Sequence, residues 1–283
     1  MTPRILIVND DGIDSPGIRH LARAAARQGL DVVVAAPLTE ASGSGAAITA
    51  VEQNGKIVVQ QRELAGARNV PAYGVAASPA FIVLLALRGA FGAPPTIVLS
   101  GINRGANAGA AVVHSGTVGA TLTASHAGLH GLAVSLDVLT PVDAGGEAAE
   151  RDGPALTEVD PAADEKRHWD SAAGLAMKLL PTLTHTPPGT VLNLNVPDLH
   201  VDGIRGLRRA RLARFGQVQM SIAEAGEGFV RTAVQAADEP IEPGTDLAAL
   251  AQGFAVVTPI RSPGEATDVT FNLESIVVQT PAI

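Results

Sequence analysis

The chain has 283 residues, of which 46 % are apolar and 17 % charged, and its net charge is −8. That balance belongs to a packed globular protein with a sizeable core and excludes a disordered chain. The acidic excess argues against an electrostatic grip on nucleic-acid polymers or anionic membranes, and the lack of cysteine excludes a disulfide framework and thiol catalysis.

In chain order, "RILIV" (4–8) is an apolar strand that runs straight into Asn9, Asp10, Asp11 and Gly12. Ser15 and Pro16 then start a helix through "IRHLARAAARQG", which stops near Gly29. The runs "DVVVAA" (31–36), "TIVLS" (96–100), "LAVSL" (132–136) and "TVLNLNV" (190–196) are continuous and apolar, as buried parallel strands require. Helical patterns lie between them in "PAFIVLLALRG", "GTVGATLTASHAG" and "WDSAAGLAMKLLPTL", while "GKIVVQQ" (55–61) reads as an extra strand or hairpin arm. This alternation predicts an α/β protein with a Rossmann-like, doubly wound, mostly parallel sheet.

Residues 138–167 are dominated by Pro, Gly, Ala and acids, and are expected to form a mobile surface excursion, either a bland insertion or a lid. After residue 200 the helical periodicity fades into strand candidates, including "FVRTAVQA" and "FAVVTPI". The expected organisation is a catalytic core over 1–199 and a C-terminal β-hairpin arm over 200–283 that packs on a partner subunit. The apolar start is too short for a signal peptide, and "AFIVLLAL" (80–87) is too short to span a bilayer. A soluble, cytoplasmic protein without membrane or nucleic-acid partners is expected.

In an open α/β sheet, ligands bind beyond the carboxyl ends of the strands. Three loops carry suitable chemistry there: Asn9 to Gly12, "APLTEASGSGAAIT" (36–49) and "GINRGANAG" (101–109). The helix that follows the third begins "HSGTVGA" (114–120). Asp10 and Asp11 repel one another and call for a positive partner, which a Lys, an Arg or a metal ion could supply. Carboxylate, amide and hydroxyl oxygens favour a hard cation, Mg²⁺ or Mn²⁺, and glycine-rich turns with a helix N-terminus suit a phosphate. Each element alone has an ordinary structural reading, as a strand-end cap or a turn. Their joint occurrence at consecutive strand ends favours the metal. His126 and His130 lack the glutamate of a zinc-protease helix and read as surface or packing residues. His114 either reaches the site or serves a structural part.

Taken together, "ILIVNDDGIDSPGI", "AAPLTEASGSGAAIT", "IVLSGINRGANAG", "HSGTVGAT", "LAVSL", "LNLNVPDL" and "PGTDLAALAQGFAVVTPI" resemble the SurE family of stationary-phase survival proteins. The resemblance implies a metal-dependent phosphatase, 5'-nucleotidase-like, acting on nucleoside monophosphates or similar small phosphomonoesters. It implies one divalent ion per subunit held by Asp10, Asp11, Ser42 and Asn103, with Asp10, Asp11 and Asn103 catalytic. The phosphate pocket would fall on Asn9, Gly43, Gly105, Asn107, Ser115, Gly116 and Thr117. It also implies a homodimer or homotetramer with an exchanged C-terminal arm.

The sequence departs from the family's pattern in three places. "PLTEASG" stands where "PDRN.SG" is usual, "GVAASPA" (74–80) where "GTP.DCV" is usual, and Thr123 where a Glu is usual. These departures predict a leaving-group side that is smaller, more apolar and less selective. The alternative is a non-catalytic metal or phosphate-ligand protein on the same scaffold. A response-regulator receiver is disfavoured because no Asp lies between residues 32 and 136, and a haloacid-dehalogenase-type phosphatase because its nucleophile position is Asn9.

Overall fold

The opening apolar run forms β1 (Arg4–Val8), whose Ile5, Leu6, Ile7 and Val8 are all fully buried. Both faces of a strand must be covered for this to happen, and they are. Ile5 and Ile7 pack among Ile18, Leu21 and Trp169, whereas Leu6 and Val8 pack among Ile82, Val83 and Ala120 on the other side. The period-2 alternation of side chains divides one strand between two cores.

The computed structural model describes residues 3–138, 160–215, 218–226, 229–236, 241–266 and 268–270. After β1 come α1 (Pro16–Arg27) and β2 (Asp31–Pro37). Strands β3 (Glu52–Gln53) and β4 (Lys56–Ile57) form a small hairpin. Its two-residue turn, Asn54-Gly55, has φ values of 55° and 72°, the left-handed pair that such a tight turn needs. Then follow β5 (Val59–Arg62), β6 (Ala72–Val75), α2 (Pro79–Leu87) and β7 (Ile97–Arg104). The chain continues with α3 (Gly116–His126), β8 (His130–Asp137), α4 (Pro161–Asp164), α5 (Trp169–Thr184) and β9 (Val191–Pro197). The last elements are β10 (Leu207–Arg209), β11 (Val218–Gly226), β12 (Phe229–Ala236), α6 (Asp246–Ala251) and β13 (Ala255–Ile260).

The main sheet has nine strands in the order β10-β13-β9-β8-β7-β1-β2-β6-β5. Strands β9, β8, β7, β1, β2 and β6 run parallel, and the expected doubly wound α/β fold is present. The edges reverse: β5 is antiparallel to β6, and β13 is antiparallel to β9. The chain therefore does not leave the sheet at residue 200, because β10 and β13 extend its edge while α6 packs beside β13. Strands β11 and β12 pair with each other, and among the described residues with no other strand.

Of the expected excursion at 138–167, residues 139–159 lie outside the described residues, as do 271–283 of the expected arm. No helix among the described residues is long and apolar enough to cross a membrane. Strand order reverses its direction of growth at β1: α1 carries the chain to β2 on one side, and α2 carries it back to β7 on the other. The carboxyl ends of β1 and β7 thus flank the switch-point crevice, where a sheet of this kind opens to ligands.

Candidate active site

Two carboxylates mark the end of β1. Asp10 is buried, and burial pushes its carboxyl group above the usual range even though several hydrogen bonds favour the anion. Its Oδ2 accepts the Thr117 backbone N–H at 3.1 Å, and its Oδ1 accepts the Thr117 hydroxyl. Asp11 is pushed up to about 7, first by burial and then by the charge of Asp10. The Arg104 guanidinium and the Arg104 backbone N–H, 3.2 Å from Asp11 Oδ2, act in the opposite direction. That guanidinium lies 3.8 Å from Glu40 and 3.9 Å from Asp164, so its charge is shared with two other acids. The pair remains under-compensated by protein charge alone.

Asn103 is brought to the same corner by an irregularity in β7, whose register against β8 shifts between Ser100 and Asn103. Such a bulge re-aims the side chain that follows it. Asn103 Nδ2 donates to the Gly105 carbonyl at 2.8 Å, leaving Oδ1 at 3.4 Å from the Thr117 hydroxyl oxygen. Thr117 therefore touches both Asp10 and Asn103. The helix that carries it is capped by Ser115, whose Oγ accepts the Val118 N–H at 3.0 Å.

Close approach fixes the residue type at 116. A Cβ on Gly116 would lie 2.6 Å from Ser44 Oγ and 2.7 Å from Asp10 Oδ2, which no neighbour could absorb without moving the site. Ser44 belongs to the loop after β2 but to neither the expected metal set nor the expected phosphate pocket, since "SGSG" has ordinary turn composition. Its hydroxyl is buried and has no hydrogen-bond partner among the described residues, which marks it as a free group beside the carboxylates.

The other expected site residues divide by what their polar atoms do. Ser42 is exposed, and its hydroxyl donates to Glu40 rather than to Asp10 or Asp11. Gly43 is exposed at φ 74° with open space around it. Asn9 is fully buried and shapes the turn after β1, its Nδ2 donating to the Gly12 carbonyl at 3.0 Å and Ser15 Oγ at 2.8 Å. Both of its N–H groups are thereby used, and only its Oδ1 is left unpartnered. Gly105 adopts φ 110° and donates to the Leu136 carbonyl at 2.8 Å. Asn107 is held in place: its N–H donates to Asn195 Oδ1, and its carbonyl accepts from Asn193 and Asn195. One of its two amide N–H groups goes to Ser135 Oγ. His114 is exposed, with its carbonyl accepting the Gly45 N–H at 3.1 Å.

The C-terminal segment contributes a support that single-motif reading misses. Buried Asp246 accepts the Gly109 N–H at 2.7 Å through Oδ2, and the Ala213 and Leu247 N–H groups at 2.9 Å through Oδ1. It anchors the turn that leads from Asn107 toward Ser115.

Two clefts flank the loop after β2. One, of ≈ 300 Å³, is lined by Asp11, Glu40, Arg104, Asp164 and Trp169 among others. The second, of ≈ 390 Å³, runs between the loop after β2 and the segment after β6. Carboxylate, amide and hydroxyl oxygens converge here without sulfur or imidazole, a donor set that fits a hard divalent cation. The raised carboxyl groups and the unpartnered Ser44 hydroxyl fit it as well.

Comparison with known proteins agrees with this chemistry. The family described as Survival protein SurE matches residues 5–219. A protein of Marinomonas sp. named 5'-nucleotidase SurE is 33 % identical over 265 residues, covering 92 % of each chain. A 5'/3'-nucleotidase SurE of Shigella dysenteriae is 32 % identical over 270 residues, covering 91 % of this chain and 90 % of that one. The crystal structure of the SurE protein from Aquifex aeolicus superposes with a TM-score of 0.70 at 26 % identity, covering 94 % of this chain and 96 % of the other.

Proposed function

The chain belongs to the SurE family, and we propose that it is a divalent-metal-dependent hydrolase of small phosphomonoesters, nucleoside 5'-monophosphates among them. The observation that carries this reading is the meeting of Asp10, Asp11 and Asn103 at the first turn of α3, through Thr117 and the Arg104 backbone.

Asp10, Asp11 and Asn103 would hold one ion per subunit, Mg²⁺ or Mn²⁺, with a loop hydroxyl completing the protein's share. Ser42 reaches that role by exchanging its Glu40 partner, whereas Ser44 already stands free beside Asp10. When bound, the ion supplies Lewis-acid stabilisation of phosphoryl charge and lowers the pKa of a water.

The protein's own groups do the remaining work. The N-terminal turn of α3 is spent on Asp10 and on its own cap, so it orients the carboxylate rather than cradling phosphate directly. Arg104 places a fixed positive charge on the cleft wall, where it opposes the negative charge of an approaching phosphate. Ser44 Oγ and the second Asn107 amide N–H are donors left for phosphoryl oxygens. Positioning and charge of this kind account for most of phosphoryl-transfer catalysis.

The same reading includes self-association as a dimer or tetramer, supported by a hairpin, β11–β12, that pairs only with itself among the described residues. Release of inorganic phosphate from AMP and from p-nitrophenyl phosphate, with Mn²⁺ or Mg²⁺ added, tests the activity. No release from any ester under either metal would favour the non-catalytic alternative.

A further inference from the structure

The cleft between the loop after β2 and the segment after β6 meets the carboxylate corner at Ala41, whose N–H donates to the Asp10 carbonyl, and at Ser44, next to Asp10 across Gly116, while Glu40 lines both clefts. Its walls are aliphatic: Leu38, Ala50, Val51, Val75, Ala76 and Ala77. Several of the main-chain donors around it are already committed. The N–H groups of Leu38, Ala41, Val51, Ala76, Ala77 and Ser78 each donate to a carbonyl of this chain, at 2.7 to 2.9 Å. The Ser78 hydroxyl donates to the Ala47 carbonyl at 2.6 Å and accepts the Thr49 N–H at 3.1 Å, so it too is spent. The remaining polar side chains of the lining are Thr39, Glu40, Ser44 and Thr49, and of these Ser44 stands next to Asp10 across Gly116. A ligand reaching inward from Ser44 passes from polar to apolar surroundings.

We propose that this cleft is the leaving-group subsite and that it selects phosphomonoesters whose alcohol portion is apolar, of phenyl to naphthyl size. The inference rests on the hydrolase reading above for the placement of the phosphate. A cleft of ≈ 390 Å³ admits such a group. A hydroxyl-rich sugar placed there would lose water against the aliphatic walls and gain few partners, because six main-chain N–H groups and the Ser78 hydroxyl are already paired. Val51, 65 % exposed at the rim, is the residue at which polarity can be changed without disturbing the core.

The direct test is competition between phenylphosphonate and methylphosphonate, whose P–C bonds resist hydrolysis, for the Mn²⁺-loaded full chain, read by calorimetry. Phenylphosphonate is expected to bind at least about tenfold more tightly, and Val51→Asp to cut that ratio to about threefold or less. Equal binding of the two phosphonates by the wild type would overturn the subsite, as would a ratio that Val51→Asp leaves unchanged. In parallel, kcat/KM for phenyl phosphate is expected to exceed that for ribose 5-phosphate, and the reverse order would also overturn it. Preferred binding of phenylphosphonate with no ester hydrolysed would support the cleft and overturn the hydrolase reading instead.

Discussion

Thr117 points its backbone N–H at Asp10 Oδ2 from 3.1 Å, so the first turn of α3 is aimed at a carboxylate that ends β1. The same residue's hydroxyl donates to Asp10 Oδ1 and lies 3.4 Å from Asn103 Oδ1. Two strands and a helix are thereby joined at one side chain. Thr117→Val keeps the shape and removes the hydroxyl, leaving Asp10 and Asn103 without their common partner. Metal affinity should fall about 10- to 100-fold, the usual cost of losing a group that orients ligands. Calorimetric titration with Mn²⁺ reads this, and an unchanged affinity would show that the hydroxyl orients nothing.

Asp11 sets a pH dependence whose sign is fixed by its shift. Its folded-state pKa of about 7 lies above the ordinary 3.8, so protons bind the folded chain more tightly than the unfolded one. The stability this group contributes is fully present below its unfolded pKa and is lost as pH rises through the folded value. The metal-free protein should therefore lose melting temperature across that window through this group, and Asp11→Asn should remove that slope. A cation competes with the proton, so Mn²⁺ should raise the melting temperature more at about pH 8 than at about pH 5.5. Equal metal stabilisation at both values would contradict the assignment.

Asp246 acts at a distance from the carboxylates. Asp246→Ala would leave the N–H groups of Gly109, Ala213 and Leu247 buried without an acceptor. The expected loss is at least about 3 kcal/mol, given roughly 1–3 kcal/mol for each unsatisfied group. Thermal unfolding should shift down by roughly 6 °C or more. A shift of under about 2 °C would mean that water or a backbone adjustment replaces the carboxylate.

The hairpin of β11 and β12 predicts assembly. Two strands alone are at best marginally stable in water, so a hairpin with no third strand among the described residues needs another surface. Light scattering at micromolar concentration should give a dimer or tetramer, and deletion of residues 216–238 should shift it toward monomer. A wild-type monomer would count against this.

Much of the fold was legible because a parallel strand buried on both faces needs an unbroken apolar run, as "RILIV" and "DVVVAA" show. The edge of the sheet was not, because "FAVVTPI" carries no sign of whether it pairs with β9 or projects as an arm; the pairing of β13 with β9 is set by tertiary contact. At the site, the adjacent carboxylates and Asn103, near the end of β7, are candidates only jointly, since each alone reads as an ordinary strand-end cap or turn. Ser44 did not stand out, since its significance lies in burial beside Gly116 and not in its residue type. Asp246 was hidden for a similar reason, being far in sequence from the loop it anchors. The role of Ser42 also depends on a hydroxyl rotor and a Glu40 partner that no spacing rule encodes.

In the proposed site, Asp10, Asp11 and Asn103 hold a divalent ion on which turnover depends. The most direct measurement of that dependence is phosphate release from AMP by the wild type, with Mn²⁺ and then with excess EDTA, beside Mn²⁺ titration of Asp11→Asn. EDTA should abolish release, added Mn²⁺ should restore it, and Asp11→Asn should lose metal affinity and turnover together while keeping its fold. Undiminished wild-type turnover in excess EDTA would contradict that dependence.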